Sequence, residues 1–259
     1  MKTALVVVAY GLPYSTRLFE TSRSCRQDLR IHLFRHSGRP NVVRDCEQVA
    51  SWPEVTYYPY GTNRGVAKSW NEAMVTAFAD CDVVVFANDD VYFSDGDLDR
   101  LVARAAARPE HYIVTCAGVD LVRQERVPSL GYACFAMNRT AFDTLGCFDQ
   151  NLFPIYCEDE DYAYRAKLAG LTEENCPSTM VHHFGSAAIR TFPELGTQNR
   201  LTHGRNLDYY QRKWGGLARQ EAYRHPFDNA DFDHRIPPER RHAPYGLGFD
   251  RTDHDIVAV

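Results

Sequence analysis

Two runs of acids, one pair of histidines and one glycine-bearing loop are the places where this sequence could do chemistry. In VVVFANDDVYF, Asn88-Asp89-Asp90 sets two carboxylates side by side where an apolar run ends. Adjacent carboxylates repel, and a cation relieves the repulsion. Oxygen ligands with an open coordination sphere suit Mn2+ or Mg2+ bridging a diphosphate. A plain turn also uses Asn and Asp, so this stretch alone leaves both readings open. In CEDEDYAYR, Glu158, Asp159, Glu160 and Asp161 open a helix. Acids in a first turn gain about 0.3–1 kcal/mol from the helix dipole, but four in succession repel one another. One of them could take a proton from a hydroxyl nucleophile. Arg165 could reach a phosphate or pair with Asp161 four residues earlier. In VHHFGS, His182 or His183 could complete a metal shell begun by Asp90, or be an ordinary hydrogen-bonded side chain. The loop GTNRGVAKSWN, residues 61–71, could bring backbone amides to a phosphate at a helix start, but fits neither GxGxxG nor GxxxxGK[ST].

The elements that must position these residues read as alternating strands and helices. Strands are expected at Ala4–Tyr10, Arg30–Phe34, Val55–Tyr58, Val83–Ala87, Tyr112–Cys116 and Tyr132–Met137. Helices are expected from Ser15, over Ala67–Ala79 (Trp70, Met74, Ala77 and Phe78 on one face), Asp97–Ala107, Glu158–Ala169 and Asn206–Trp214, with Asn138 capping a short one before Gly146. Such alternation predicts an α/β fold with a mainly parallel sheet flanked by helices, and ligands lie beyond the carboxyl ends of its strands. Asp89 and Asp90 occupy such an end. Residues 217–259, rich in Pro, Arg, His and Asp, read as an extended C-terminal tail that packs on the domain or on a partner subunit, giving a homo-oligomer through the tail.

Composition narrows the function classes. The 259 residues are 44% hydrophobic and 24% charged, enough for one large core. A net charge of −5 supplies no broad basic field for nucleic acid. Eight cysteines without a CxxC pair predict buried free thiols in a reducing compartment. The opening MKTALVVVAYG reads as a first buried strand, no run reaches the length of a membrane span, and the expected location is cytoplasmic.

Taken in order, ALVVVAYG, NRGVAKSWNEAM, FANDDVYF, GCFDQNLFPIYCEDEDYAYRAKLAG, VHHFGS and NLDYYQRKWGG resemble the family 2 glycosyltransferases of GT-A fold, over roughly residues 3–216. The resemblance implies a Rossmann-like GT-A domain at 1–216. It also implies an inverting, metal-dependent transfer from a nucleotide-sugar donor, a UDP-sugar foremost. By that resemblance Asp90 binds the metal, with His182 or its neighbour His183. Asp89 and Asn88 lie by the ribose and diphosphate. Tyr10 and Gly11 line the base pocket, and Asn63, Gly65 and Asn71 its phosphate side, with Arg165 toward the donor. Asp159 is the catalytic base and Asp161 its understudy. One departure stands out: the acid that often helps bind the base after the second strand is absent from Phe34-Arg35-His36-Ser37. The acceptor stays open among a saccharide, a protein side chain, a small molecule and, with less support, a hydroxylated DNA base. A sugar-phosphate nucleotidyltransferase and a catalytically silent nucleotide-sugar-binding module are the alternatives. The first is disfavoured by the Ala9–Pro13 loop, which lacks the Gly-rich, Lys/Arg-bearing character usual after the first strand of such enzymes, the second by the joint presence of Asp90, Asp159 and the histidines.

Overall fold

The computed structural model describes residues 1–241, so the last part of the expected tail, 242–259, lies outside the described residues. The chain runs β1 (Lys2–Ala9), α1 (Ser15–Ser22), β2 (Asp28–Arg35), α2 (Pro40–Ala50), β3 (Val55–Tyr58), α3 (Val66–Ala77), β4 (Val83–Asn88), β5 (Val91–Tyr92) and α4 (Asp97–Ala106). It continues through β6 (His111–Asp120), β7 (Glu125–Val127), β8 (Cys134–Asn138), α5 (Arg139–Leu145), α6 (Glu158–Leu168), β9 (Thr172–His183), α7 (Ala187–Thr191) and α8 (Pro193–Trp214).

The strands form one sheet in the order β3-β2-β1-β4-β8-β6-β9-β5, with β7 paired to β6. The half from β3 to β4 is wholly parallel, as the alternation of strands and helices predicts. Beyond β4 the sheet is mixed: β8 runs antiparallel to both β4 and β6, and β9 parallel to β6. The long, polar β9 (TEENCPSTMVHH) carries little strand patterning of its own and draws its ladder from β6.

Both faces of the sheet are covered, which is why its central strands are continuous apolar runs. Alternation along β1 and β4 divides the core. Leu5, Val7, Val83 and Val85 pack with Leu18, Phe19, Val42 and Leu101 on one face. Ala4, Val6, Val84 and Phe86 pack with Trp70, Met74, Phe135, Phe148 and Tyr162 on the other. All eight cysteines are free thiols, seven of them buried. The stretch after α8 folds back on the domain: Ile236 is buried, its carbonyl accepting from Cys147 N (2.7 Å) and its N–H donating to Leu145 O (3.0 Å). Among the described residues no helix is long and apolar enough to cross a membrane.

Candidate active site

A cavity of about 250 Å³ opens at the carboxyl ends of β1 and β4. Tyr10, Gly11, Asn63, Asn88, Asp89 and Asp90 line it, so most of the residues expected at the donor meet there. Strand β4 brings its acids to the rim because Val83–Ala87 are all buried and the chain must leave the sheet at Asn88. Tyr10 N–H donates to Asp89 Oδ2 at 3.0 Å, tying the end of β1 to the acidic edge. Glycine is required at position 11, since a Cβ there would fall 2.1 Å from Ala188 Cβ. Gly65 heads α3 behind Asn63 at φ +80, where a Cβ would meet the Phe153 ring at 2.6 Å.

Burial, and next the neighbouring charge of Asp90, push the Asp89 pKa up. A cation at this edge would relieve both costs. His183 Nε2 is buried, has no hydrogen-bond partner, and sits 3.2 Å from Asp90 Oδ1. An orphaned imidazole nitrogen facing a carboxylate fits a divalent cation held between them. Asp90 Oδ2 also accepts from Ala187 N at 3.2 Å. Among the described residues no three His, Cys, Asp or Glu side chains gather into a fuller metal shell. Two protein ligands would leave room for oxygens of a substrate.

Four expected site residues lie elsewhere. His182 points to the opposite side of β9 from His183. It stacks on Tyr92 with ring centroids 4.5 Å apart and reaches Ser94 Oγ at 3.2 Å, so it does not face Asp90. Asn71 is buried in the core, where its amide brackets the Phe148 backbone, donating to Phe148 O (2.9 Å) and accepting from Phe148 N (2.7 Å). Asp161 and Arg165 are both fully buried and paired at 2.9 Å. Asp161 also accepts from Trp214 Nε1 at 2.8 Å, while Arg165 donates to the carbonyls of Leu145, His234 and Cys147. Lys213 joins Asp161 to Asp149, reaching Asp149 Oδ2 at 2.8 Å. Those charges are consumed by the fold: Asp161 cannot serve as a base, nor Arg165 as a donor ligand.

Asp159 stays available. It sits partly exposed on the first turn of α6, beyond the cavity wall formed by Pro154, Ile155 and Tyr156. Its Oδ1 accepts from Glu160 N at 3.0 Å. Tyr156 and Cys157 both take positive φ (80° and 67°) in the turn that aims this helix start. Such backbone costs about 1–3 kcal/mol per residue and persists only where neighbours hold it. Asn206 does so, donating from Nδ2 to Ile155 O (3.0 Å) and Tyr156 O (2.9 Å). Beside it Glu158 is buried, its Oε2 without a partner, and burial raises its pKa well above the ordinary carboxylate range.

Sequence reasoning missed part of the wall. His36 lines the cavity where the base-binding acid was absent. Burial first, and then the charge of Arg64, lower its pKa to about 3, so it is neutral, with Nε2 2.7 Å from Ser69 Oγ. Asn199 and Thr202 also line it from α8, which begins at Pro193, well before the expected Asn206. Proline at the first helical position was the available signal.

The glycosyl transferase family 2 model matches residues 24–159, just over half of the chain. The chain belongs to glycosyltransferase family 2. Solved structures similar to this family 2 chain include a mannosyltransferase, PcManGT from Pyrobaculum calidifontis, in complex with GDP-Man and Mn2+ (16% identity, TM-score 0.59, covering 78% of this chain and 62% of that one). GalNAc-T7 with UDP, GalNAc and Mn2+ also matches (13% identity, TM-score 0.59, 82% and 50% covered). So does S. aureus TarS 1-349 with UDP (16% identity, TM-score 0.52, 70% and 60% covered). At these identities the likeness establishes the GT-A fold. The chain spans less than two thirds of each of these three structures. No curated protein sequence matches it.

Proposed function

We propose that this chain transfers a sugar from a nucleotide-diphosphate sugar to an acceptor hydroxyl, metal-assisted and with inversion. The observation that carries the reading is the pairing of Asp89 and Asp90 on one cavity of a family 2 fold, with His183 Nε2 3.2 Å from Asp90 and Asp159 partly exposed on the adjoining helix start. Asp90 and His183 would hold the divalent metal, Mn2+ or Mg2+. When bound, that ion supplies positive charge to the departing diphosphate. Tyr10, Gly11 and His36 take the nucleoside end of the donor, with Asn63 on its phosphate side. Asp159 accepts the proton of the acceptor hydroxyl as its oxygen attacks the anomeric carbon opposite the diphosphate. The sugar–phosphate bond breaks, its electron pair leaves with the diphosphate, and the configuration inverts. Residues 1–216 are read as the catalytic domain and 217–259 as its C-terminal extension, of which the described part, 217–241, packs back on the domain. Complexes of structural neighbours with GDP-Man, UDP and Mn2+ support a nucleotide-sugar donor and a divalent metal.

A thermal-shift screen of UDP- and GDP-sugars tests the donor site. One nucleotide sugar at about 100-fold over its Kd should raise Tm by roughly 5–10 °C, and only with Mn2+ present. The matching transfer assay should yield a product of inverted anomeric configuration. Pyrophosphate release from a nucleoside triphosphate and a sugar phosphate would overturn the reading, as would the absence of a metal-dependent shift with every nucleotide tried.

A further inference from the structure

Strand β9 lies between β6 and β5, so His183 is flanked on both sides. On one side it pairs with Val91, the residue after Asp90. On the other, parallel pairing with β6 sets Asp120 directly opposite His183, as Val119 is opposite His182. Registered partners on neighbouring strands point to the same face. Asp120 and His183 are thus side by side on one face of the sheet. Leu121 N–H donates to His183 O at 2.9 Å and closes the ladder at that point.

The Asp120 side chain is held in place by its own turn. Its Oδ1 accepts from Val122 N (2.8 Å) and Arg123 N (3.0 Å), an Asx-type arrangement. The same oxygen lies close to the chain after His183: a Cβ built on Gly185 would be 3.8 Å from it. The Oδ2 atom lies 3.7 Å from the exposed Arg123 guanidinium. Asp120 therefore presents a fixed carboxylate next to the imidazole whose Nε2 meets Asp90. A metal-binding histidine commonly gives its second ring N–H to a carboxylate, which sets its tautomer and raises its basicity.

We propose that Asp120 is a positioning residue for His183, its carboxylate holding the imidazole in the tautomer and orientation that leave Nε2 free for a divalent cation shared with Asp90. The inference rests on the metal-assisted reading above. Asp120 acts only through His183, and the reaction itself does not touch it.

Mn2+ binding to the purified full chain, measured by titration calorimetry without any acceptor, tests it. Asp120→Asn keeps Oδ1 as the acceptor for Val122 and Arg123, so the metal-free Tm should stay close to wild type. Mn2+ affinity should fall by about 10–100-fold. Asp120→Ser, whose hydroxyl also accepts in such a turn, should show the same loss. In a His183→Ala background, Asp120→Asn should change Mn2+ affinity no further, because the two residues act as a unit. Wild-type affinity in Asp120→Asn would overturn the proposal, as would an equal loss with and without His183. If wild-type protein takes up no Mn2+ at all, the metal-assisted reading falls and this inference with it.

Discussion

The two acidic segments look alike in sequence and behave differently in the fold. Asn88-Asp89-Asp90 follows a strand that ends at the rim, and both carboxylates stay at the cavity. Glu158–Asp161 forms the first turn of α6, where each successive side chain turns by about 100°. Four neighbours therefore meet four environments. Glu158 is buried with an unpartnered oxygen, Asp159 is partly exposed, Glu160 faces solvent, and Asp161 is locked against Arg165, Lys213 and Trp214. A strand end gathers acids for one purpose; a helix start distributes them among several.

The largest expected effect tests that division in α6. Asp159→Asn preserves shape but removes the base, so kcat should fall by about two to four orders of magnitude while donor affinity stays unchanged. Normal turnover in Asp159→Asn, with activity lost instead in Glu160→Gln, would break the assignment. Next comes the structural acid. Lys213→Met leaves Asp149 and Asp161 buried without their ammonium partner and should cost about 3–5 kcal/mol of stability in urea unfolding. A much smaller loss would mean that Asp161 is not held by this network and could turn toward the site. The smallest effect sharpens the strand-end side. His183→Ala should weaken Mn2+ binding on the order of 100-fold. His182→Ala should leave it nearly unchanged, since that ring stacks on Tyr92 instead. Equal losses from the two would remove the distinction between the faces of β9.

Much of the architecture was legible. The apolar runs of β1 and β4 and the face of α3 carrying Trp70 and Met74 announce themselves by periodicity, and they place Asp89 and Asp90 at a strand end. β9 was not legible, because a polar strand takes its pairing from β6 rather than from its own pattern. The start of α8 was missed for a related reason: polar residues dominate its first turns, so no apolar periodicity marks them. His36 escaped because a lone histidine after a strand carries no signal until its burial is known.

The sequence by itself determined which residues are acids, that two of them follow a buried strand, and that four open a helix. Tertiary structure alone decided what each charge does. Burial and long-range partners set those roles. Asp161 meets Lys213 across 52 positions of sequence, and His183 reaches Asp90 across 93. Nothing local distinguishes Asp159 from Asp161, or His182 from His183. Helix rotation and strand alternation turn neighbours apart, and the packing around each then determines whether its charge is locked into the fold or left for chemistry.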